Sequence, residues 1–139
     1  TIAGSLNADI EEIKDSEERS GILGFLRSGY EALFKKLPLI EPVNKSPDEY
    51  DLVIAGSPVW AGNLSSPVRT FMSLYGGKIR KVAFFTTYGI KSGKIFRQME
   101  ELSKSPIAVL EVREEEIKSG GYLGKVEDFI EKLRILNKI

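Results

Sequence analysis

Two aromatic residues in stretches with polar and small neighbours are the first candidates for a chemical role. After the apolar run Leu52–Gly56 the chain continues with Ser57, Pro58, Val59, Trp60, Ala61, Gly62 and Asn63. After a second apolar run it continues with Thr86, Thr87, Tyr88 and Gly89. An indole has a broad apolar face and one polar edge, which suits it to cover an aromatic ring. Gly62 would let backbone N–H groups approach the acceptors of such a ring. These residues favour the binding of a flat aromatic ligand.

The composition leaves few reactions to the side chains themselves. The chain has 139 residues, with no cysteine and no histidine. Disulfides, thiolate nucleophiles and cysteine metal sites are therefore excluded, and the most common general base is absent. We expect no catalytic side chain and no metal site, and we infer that any chemistry comes from a bound cofactor.

Length and charge indicate one soluble domain. A chain of 139 residues can form one core and is too short for two ordinary domains, so we predict a single domain over residues 1–139. Twenty basic residues balance twenty acidic ones, which predicts no attraction to nucleic acid or to a membrane surface. No apolar run is long enough to span a bilayer and no signal-peptide pattern opens the chain, so a cytoplasmic location is expected.

The elements that must position the two aromatic stretches alternate between strands and helices. Three near-continuous apolar runs predict parallel strands buried on both faces, and they are Leu52–Gly56, Val82–Phe85 and Ile107–Val112. A fourth, weaker strand is predicted at Ala8–Ile13, where Ile10 and Ile13 are the main apolar anchors. Strands that alternate with helices predict an α/β fold with a doubly wound parallel sheet in three layers, α/β/α.

Apolar residues at steps of three and four predict the helices between these strands. One helix runs from Tyr122 to Leu136, a second over Ile95–Leu102, and a third over Val68–Tyr75 with Ser66 as N-cap and Pro67 as its first residue. Another runs from Leu23 to Leu37 and ends at Pro38. For the stretch from Gly21 to Tyr30 the alternatives are a mobile flap, a dimer contact and packing in the core, and we expect packing in the core.

The position of the aromatic pair supports a functional role for it. A lone Trp or Tyr in a loop more often closes the edge of a core than binds a ligand. In a doubly wound sheet, however, ligands bind beyond the carboxyl ends of the strands. Trp60 and Tyr88 both follow such ends, on successive predicted strands. The pair therefore predicts a slot for a planar ring.

A family resemblance makes this prediction specific. The stretch Asp51–Met72 resembles the third strand, cofactor loop and following helix of the flavodoxin-like family, which includes flavodoxins and FMN-dependent quinone reductases. The resemblance extends from Ala8 to the last helix, with Thr86–Gly89 a weaker match. It implies a non-covalently bound FMN, with Ser57 to Asn63 on one side of the isoalloxazine ring and Thr87, Tyr88 and Gly89 on the other.

The chain departs from this family at its beginning. Family members start with a strand and a phosphate-binding loop, whereas residues 1–6 resemble the end of the first helix. We therefore expect the first strand and the phosphate loop to be missing, either in an incomplete form or in a variant that folds without tight FMN. Losing three charge-assisted hydrogen bonds would weaken FMN binding by about 5–9 kcal/mol. A submicromolar site would then become roughly millimolar.

Two functional hypotheses follow from the resemblance. The first is an FMN-binding redox flavoprotein that transfers electrons through the flavin to a redox partner or a small quinone-like acceptor. The neutral charge favours an NAD(P)H:quinone-type oxidoreductase over an electron carrier, since carriers of the family are typically strongly acidic. The alternative is a flavin-free scaffold that acts as an interaction or oligomerisation module, a homodimer included, because an open sheet edge invites strand addition.

Overall fold

The computed structural model describes residues 1–16 and 20–137. Its strands are β1 (Val53–Trp60), β2 (Asn63–Leu64), β3 (Val82–Tyr88) and β4 (Val109–Arg113). Its helices are α1 (Ile2–Leu6), α2 (Gly21–Leu33), α3 (Ser66–Tyr75), α4 (Ile95–Leu102), α5 (Glu114–Ser119) and α6 (Tyr122–Asn137). Short 3-10 turns lie at Pro47–Glu49 and Gly76–Lys78. Within the described ranges, none of the helices has the length and apolar character that a membrane crossing requires.

The four strands form one sheet in the order β2-β1-β3-β4. Strands β1, β3 and β4 are parallel, and β2 folds back antiparallel onto the end of β1. Six residues of β1, from Val53 to Pro58, pair with β3 from Val82 to Thr87. The three predicted apolar runs therefore form the three parallel strands, although β1 and β3 extend further than their apolar runs.

Helices cover both faces of the sheet, which makes the fold the predicted three-layer α/β/α arrangement. One apolar core joins residues of α3 and α4 to the sheet, with Met72, Phe84 and Met99 among its buried members. The other joins α6 to the opposite face, around Leu110 and Leu133. Because both faces of the sheet are covered, the side chains that point to either face of a strand are apolar, and this explains the near-continuous apolar runs.

The predicted helices α3, α4 and α6 are confirmed with small changes at their ends. Helix α4 spans the predicted residues Ile95–Leu102, and α6 extends to Asn137. In α3 the N-cap is Ser65, so Ser66 begins the helix and Pro67 lies one residue further in than predicted. Proline is tolerated there because the first N–H groups of a helix have no partner within the helix.

The predicted strand at Ala8–Ile13 is wrong. These residues form no ladder, and the nearest pairing is an isolated antiparallel bridge between Asp15 and Ile40. Ile10, predicted as an apolar anchor, is 72% exposed. A strand is defined by its neighbours, and no strand in the described ranges lies beside this segment.

The helix predicted from Leu23 to Leu37 ends early and does not bury its apolar residues. It ends at Leu33, and Lys35 adopts a left-handed conformation with φ of 53° before Pro38 is reached. The apolar residues of this region that remain more than half exposed are Ile22, Leu23, Phe25, Leu26, Tyr30, Leu33, Phe34, Leu37 and Leu39. The expectation that Gly21 to Tyr30 pack in the core is therefore wrong for the large apolar residues of that stretch.

The turn between α3 and β3 provides a test of the packing between α3 and α4. A Cβ atom at Gly76 would overlap the carbonyl oxygen of Leu102, whereas a Cβ at the adjacent Gly77 would meet nothing within 4 Å. We expect Gly76→Ala to lower the free energy of unfolding by about 1–3 kcal/mol, because a backbone carbonyl cannot move aside. Gly77→Ala should change it by less than about 0.5 kcal/mol. Urea unfolding of both variants would check this, and equal effects would contradict the packing described.

Candidate functional site

The two aromatic stretches lie at the same edge of the sheet. Pro58 in β1 pairs with Thr87 in β3, so Trp60 and Tyr88 follow these partners at the carboxyl ends of neighbouring parallel strands. We call residues 57–63 and 87–89 the rim site. Parallel strands end at a common edge, and this geometry brings together residues about thirty positions apart in the chain.

The first stretch is a β-hairpin instead of the loop that the sequence predicts after Gly56. Strand β1 continues through Trp60, and Trp60 and Val59 pair with Asn63 and Leu64. Ala61 and Gly62 form the turn with φ of 48° and 74°. Positive φ at both central residues is the geometry that matches the twist of a two-residue hairpin. Alanine in this conformation costs about 1–2 kcal/mol, so the surrounding contacts must hold the turn in place.

A buried set of hydroxyl groups holds the base of the hairpin. Ser57 Oγ lies 2.9 Å from Ser65 Oγ and accepts a hydrogen bond from the Ser65 N–H at 3.1 Å. Thr86 Oγ1 donates to the Ser57 carbonyl oxygen at 2.7 Å. All three residues are almost fully buried. Polar groups at this depth are stable only when they are hydrogen-bonded, so the set ties β1, β3 and the start of α3 together.

A glutamine on α4 holds the returning strand of the hairpin. Gln98 accepts a hydrogen bond from the Leu64 N–H at 2.8 Å and donates to Asn63 Oδ1 at 2.6 Å. Asn63 in turn donates to the Ala61 carbonyl oxygen at 2.8 Å. The amide of Gln98 thus fixes the turn from a helix in the next layer.

The segment that follows the second stretch touches the first stretch at the turn. Beyond β3, Gly93 adopts φ of 65°, and a Cβ atom there would lie 2.5 Å from the carbonyl oxygen of Gly62. Only glycine can pack its backbone so closely in this conformation. The segment after β3 therefore packs directly against the tip of the hairpin.

Trp60 and Tyr88 share the edge but have different surroundings. Trp60 is half-buried and, with Pro58 and Thr87, lines an open cleft of about 1280 Å³. Tyr88 does not line this cleft, and its ring centroid lies 5.9 Å from Cζ of Arg113 on β4. Successive side chains of a strand point to opposite faces, so Thr87 joins Trp60 while Tyr88 turns away. Trp60 and Thr87 therefore both line the cleft, whereas Tyr88 lies outside it.

Charged residues surround the Tyr88 side of the edge. Lys125 on α6 pairs with Glu116 at 2.7 Å, and Glu116 also accepts a hydrogen bond from the Arg113 N–H at 2.8 Å. The hydrogen bond from Lys125, followed by that from the Arg113 N–H, lowers the pKa of Glu116. The same pair raises the pKa of Lys125. Around neutral pH both partners are charged, so the Glu116 carboxylate balances the charge of Lys125, and Arg113 is the cation that lies against the Tyr88 ring.

Sequence reasoning missed the residues that fix the rim site. Gln98, Ser65 and Gly93 touch or hold the hairpin, and none was predicted to do so. For Gln98 a signal existed, because it lies three residues after Ile95 and next to Met99, on the apolar side of an amphipathic helix. A glutamine in such a position must find a buried partner.

Comparison with solved structures supports the fold. A flavoprotein in complex with FMN from Lactobacillus acidophilus NCFM is 24% identical, with a TM-score of 0.63 over 85% of this chain and 84% of that one. Proteins assigned as flavoproteins from Bacteroides eggerthii DSM 20697 and Bacteroides uniformis ATCC 8492 are 19% and 18% identical. Their TM-scores are 0.68 and 0.64, each over 86% of this chain and over 82% and 84% of theirs.

At these identities the likeness shows a shared α/β fold. No protein-family model matches the sequence, and no curated protein matches it.

The role of Gln98 can be tested by unfolding measurements. We expect Gln98→Ala to lower the free energy of unfolding by about 1–3 kcal/mol, since the Leu64 N–H would remain buried without a partner. Arg97→Ala changes the adjacent, exposed residue and should cost less than about 0.5 kcal/mol. Hydrogen exchange should also be faster at Asn63 and Leu64 in Gln98→Ala alone. Unchanged exchange at these two amides would show that Gln98 does not hold the hairpin.

Proposed function

We propose that the chain binds the flavin of FMN at the rim site and acts as a redox flavoprotein. The observation that carries this proposal is the position of Trp60, which lies on the carboxyl edge of the sheet and lines an open cleft beside Thr87. The FMN complex of a structural neighbour adds support. When bound, a flavin supplies the electron-transfer chemistry that a chain without cysteine or histidine lacks.

The residues of the hairpin fit the ring of a flavin. The indole of Trp60 offers an apolar face for stacking, and the backbone of the tight turn offers N–H groups at its edge. The space where a Cβ of Gly62 would stand is open to 4 Å, so a ring can approach the backbone there. Gln98 and the Ser57–Ser65 pair keep this turn rigid, which reduces the entropy lost on binding.

The residues that line the cleft support binding of the FMN phosphate less than they support binding of the ring. The side chains that line the cleft beside the rim include five carboxylates and two lysines, so carboxylates outnumber cations there. A dianionic phosphate is therefore not attracted into this cleft. We infer that the ring supplies most of the affinity, and that the chain binds FMN weakly.

The proposed electron acceptor is a small, neutral, quinone-like molecule. The balanced charge of the chain provides no long-range field to steer a charged protein partner. Apolar side chains that line the same cleft as Trp60, among them Pro58 and Val112, would shield a planar acceptor from water. In this proposal the protein binds, orients and shields, while the transfer of electrons belongs to the flavin.

Titration with FMN and with riboflavin tests this proposal. Trp60 is the only tryptophan, so its fluorescence reports the site directly. We expect both ligands to quench it with dissociation constants of about 0.1–1 mM and within roughly fivefold of each other. For variants that lack the indole, binding is measured by the absorbance of the bound flavin. Trp60→Ala should weaken binding by at least about fivefold and Trp60→Phe by less, since stacking on an aromatic ring contributes about 1–3 kcal/mol.

The matched control is Phe34→Ala, which removes an exposed aromatic residue away from the cleft lining. Its affinity for riboflavin should equal that of the unchanged protein. A folded protein whose spectrum does not change in excess flavin would defeat the proposal and favour the flavin-free scaffold. Submicromolar binding of FMN alone would instead overturn the inference that the ring dominates.

A further inference from the structure

Helix α2 turns its apolar side to the solvent. Nine large apolar residues of α2 and of the segment after it are 55–82% exposed. We call them the α2 face, and they are Ile22, Leu23, Phe25, Leu26, Tyr30, Leu33, Phe34, Leu37 and Leu39. At about 3.6 residues per turn, those on the helix occupy roughly half of its surface. Leu37 and Leu39 line one hollow together with Tyr30, so the α2 face is a continuous patch.

The polar and small residues of α2 face the protein instead. Gly24, Glu31 and Ala32 are buried on the opposite side of the helix. The Glu31 carboxylate accepts hydrogen bonds from Ser66 Oγ at 2.9 Å and from Arg27 Nε at 2.8 Å. A buried carboxylate is stable only when it is paired or hydrogen-bonded, so a rotation of α2 that buried its apolar side would cost these contacts. The polar contacts of Glu31 thus fix the exposure of the α2 face.

The α2 face lies apart from the cleft beside β1. Among the described residues that line this cleft, none belongs to α2. Helix α2 is tied to α3 by the bond between Glu31 and Ser66, whereas α1 packs on α6, where Arg134 donates to the Ser5 carbonyl oxygen at 2.8 Å. Helices α3 and α6 cover opposite faces of the sheet. A chain segment in the cleft would therefore leave the α2 face exposed.

The spacing of the apolar residues on α2 matches that of helices that pack against each other. Four members of the α2 face follow one another at steps of three, four and three, which are the a and d positions of a heptad repeat. They are Leu23, Leu26, Tyr30 and Leu33. Phe34 packs against Tyr30 with ring centroids 4.8 Å apart and widens this seam. A helix with the same repeat fits such a seam best, and α2 of a second copy is such a helix.

The α2 face is large enough for a stable dimer. Nine large apolar side chains at 55–82% exposure present roughly 600–1000 Å² of surface. The largest apolar patch on an ordinary monomer is about 300–600 Å². A specific protein–protein interface buries about 800 Å² on each partner. Two α2 faces packed together would therefore form an interface of the standard size.

The distribution of charge favours a second copy over a lipid surface. Helices that lie on membranes direct Lys and Arg side chains from their polar side to the lipid headgroups. The polar side of α2 is turned into the protein, where Arg27 pairs with Glu31. The twenty basic and twenty acidic residues of the chain leave no net charge that would keep two copies apart.

We propose that two copies of the chain associate through their α2 faces, with each α2 packed against the α2 of the other copy. A two-fold axis suits this contact, because it buries the same patch on both copies. The size of the patch, the heptad spacing and the absence of net charge all support a second copy as the occupant. The proposal requires neither flavin binding nor pairing at the β1 edge.

Sedimentation equilibrium tests the proposal. At protein concentrations of about 1–100 µM we expect a monomer–dimer equilibrium with a dissociation constant of about 10 µM or lower, which is the range for interfaces of this size. Hydrogen exchange measured at both ends of this concentration range should be slower in the dimer at residues 22–34 and unchanged at residues 53–57. Protection at residues 53–57 instead would assign the dimer contact to the sheet edge and overturn the proposal.

Two leucines of equal exposure provide a matched pair of variants. Leu26 in the α2 face is 60% exposed, and Leu74 on α3 is 61% exposed. We expect Leu26→Glu to weaken dimerisation by at least about a hundredfold, because the symmetric contact would bury two carboxylates in place of two leucines. Leu74→Glu should change the dissociation constant by less than about twofold. Both substitutions change exposed residues, so circular dichroism should show that both variants are folded.

Two results would overturn the proposal directly. One is a folded protein that stays monomeric at about 100 µM, and the other is a dimer that Leu26→Glu does not weaken. Binding of the monomer to vesicles of phosphatidylcholine and phosphatidylglycerol, lost in Leu26→Glu, would assign the α2 face to a lipid surface and would also overturn it. A dimer that binds no flavin would sustain this inference and defeat the proposed function, whereas a monomer that binds flavin would do the reverse.

Discussion

The parallel pairing of β1 with β3 is the constraint on which the rest of the structure depends. Six residue pairs, from Val53 with Val82 to Pro58 with Thr87, fix both strands in one register. A shift by one residue would turn Phe84 and the buried Thr86 to the wrong face and would break the bond from Thr86 to the Ser57 carbonyl. The same register sets Pro58 beside Thr87 at the carboxyl edge, two residues before Trp60. The cores on both faces and the rim site therefore follow from one ladder.

At the rim, a strained backbone is held by contacts from neighbouring elements. Ala61 adopts a conformation that L-residues avoid, and Gly93 packs against Gly62 where no side chain would fit. The Gln98 amide compensates by satisfying the Leu64 N–H and Asn63. Strain of this kind persists only where the surroundings determine the conformation, and it concentrates at binding sites. A rigid turn beside an indole suits a flat ligand because little conformational entropy is lost when the ligand binds.

The sequence by itself determined the parallel strands, the helices α3, α4 and α6, and the edge where the aromatic residues lie. These features depend on local patterns. A strand that is buried on both faces appears as a continuous apolar run, and the apolar residues of a helix recur every three to four positions. Only the tertiary structure decided that Ala8–Ile13 forms no strand, that α2 leaves its apolar residues exposed, and that Trp60 and Tyr88 have different surroundings. Each of these depends on which elements lie next to one another. Gln98 belongs to the same group, because its partner on the hairpin is 34 residues away in the chain.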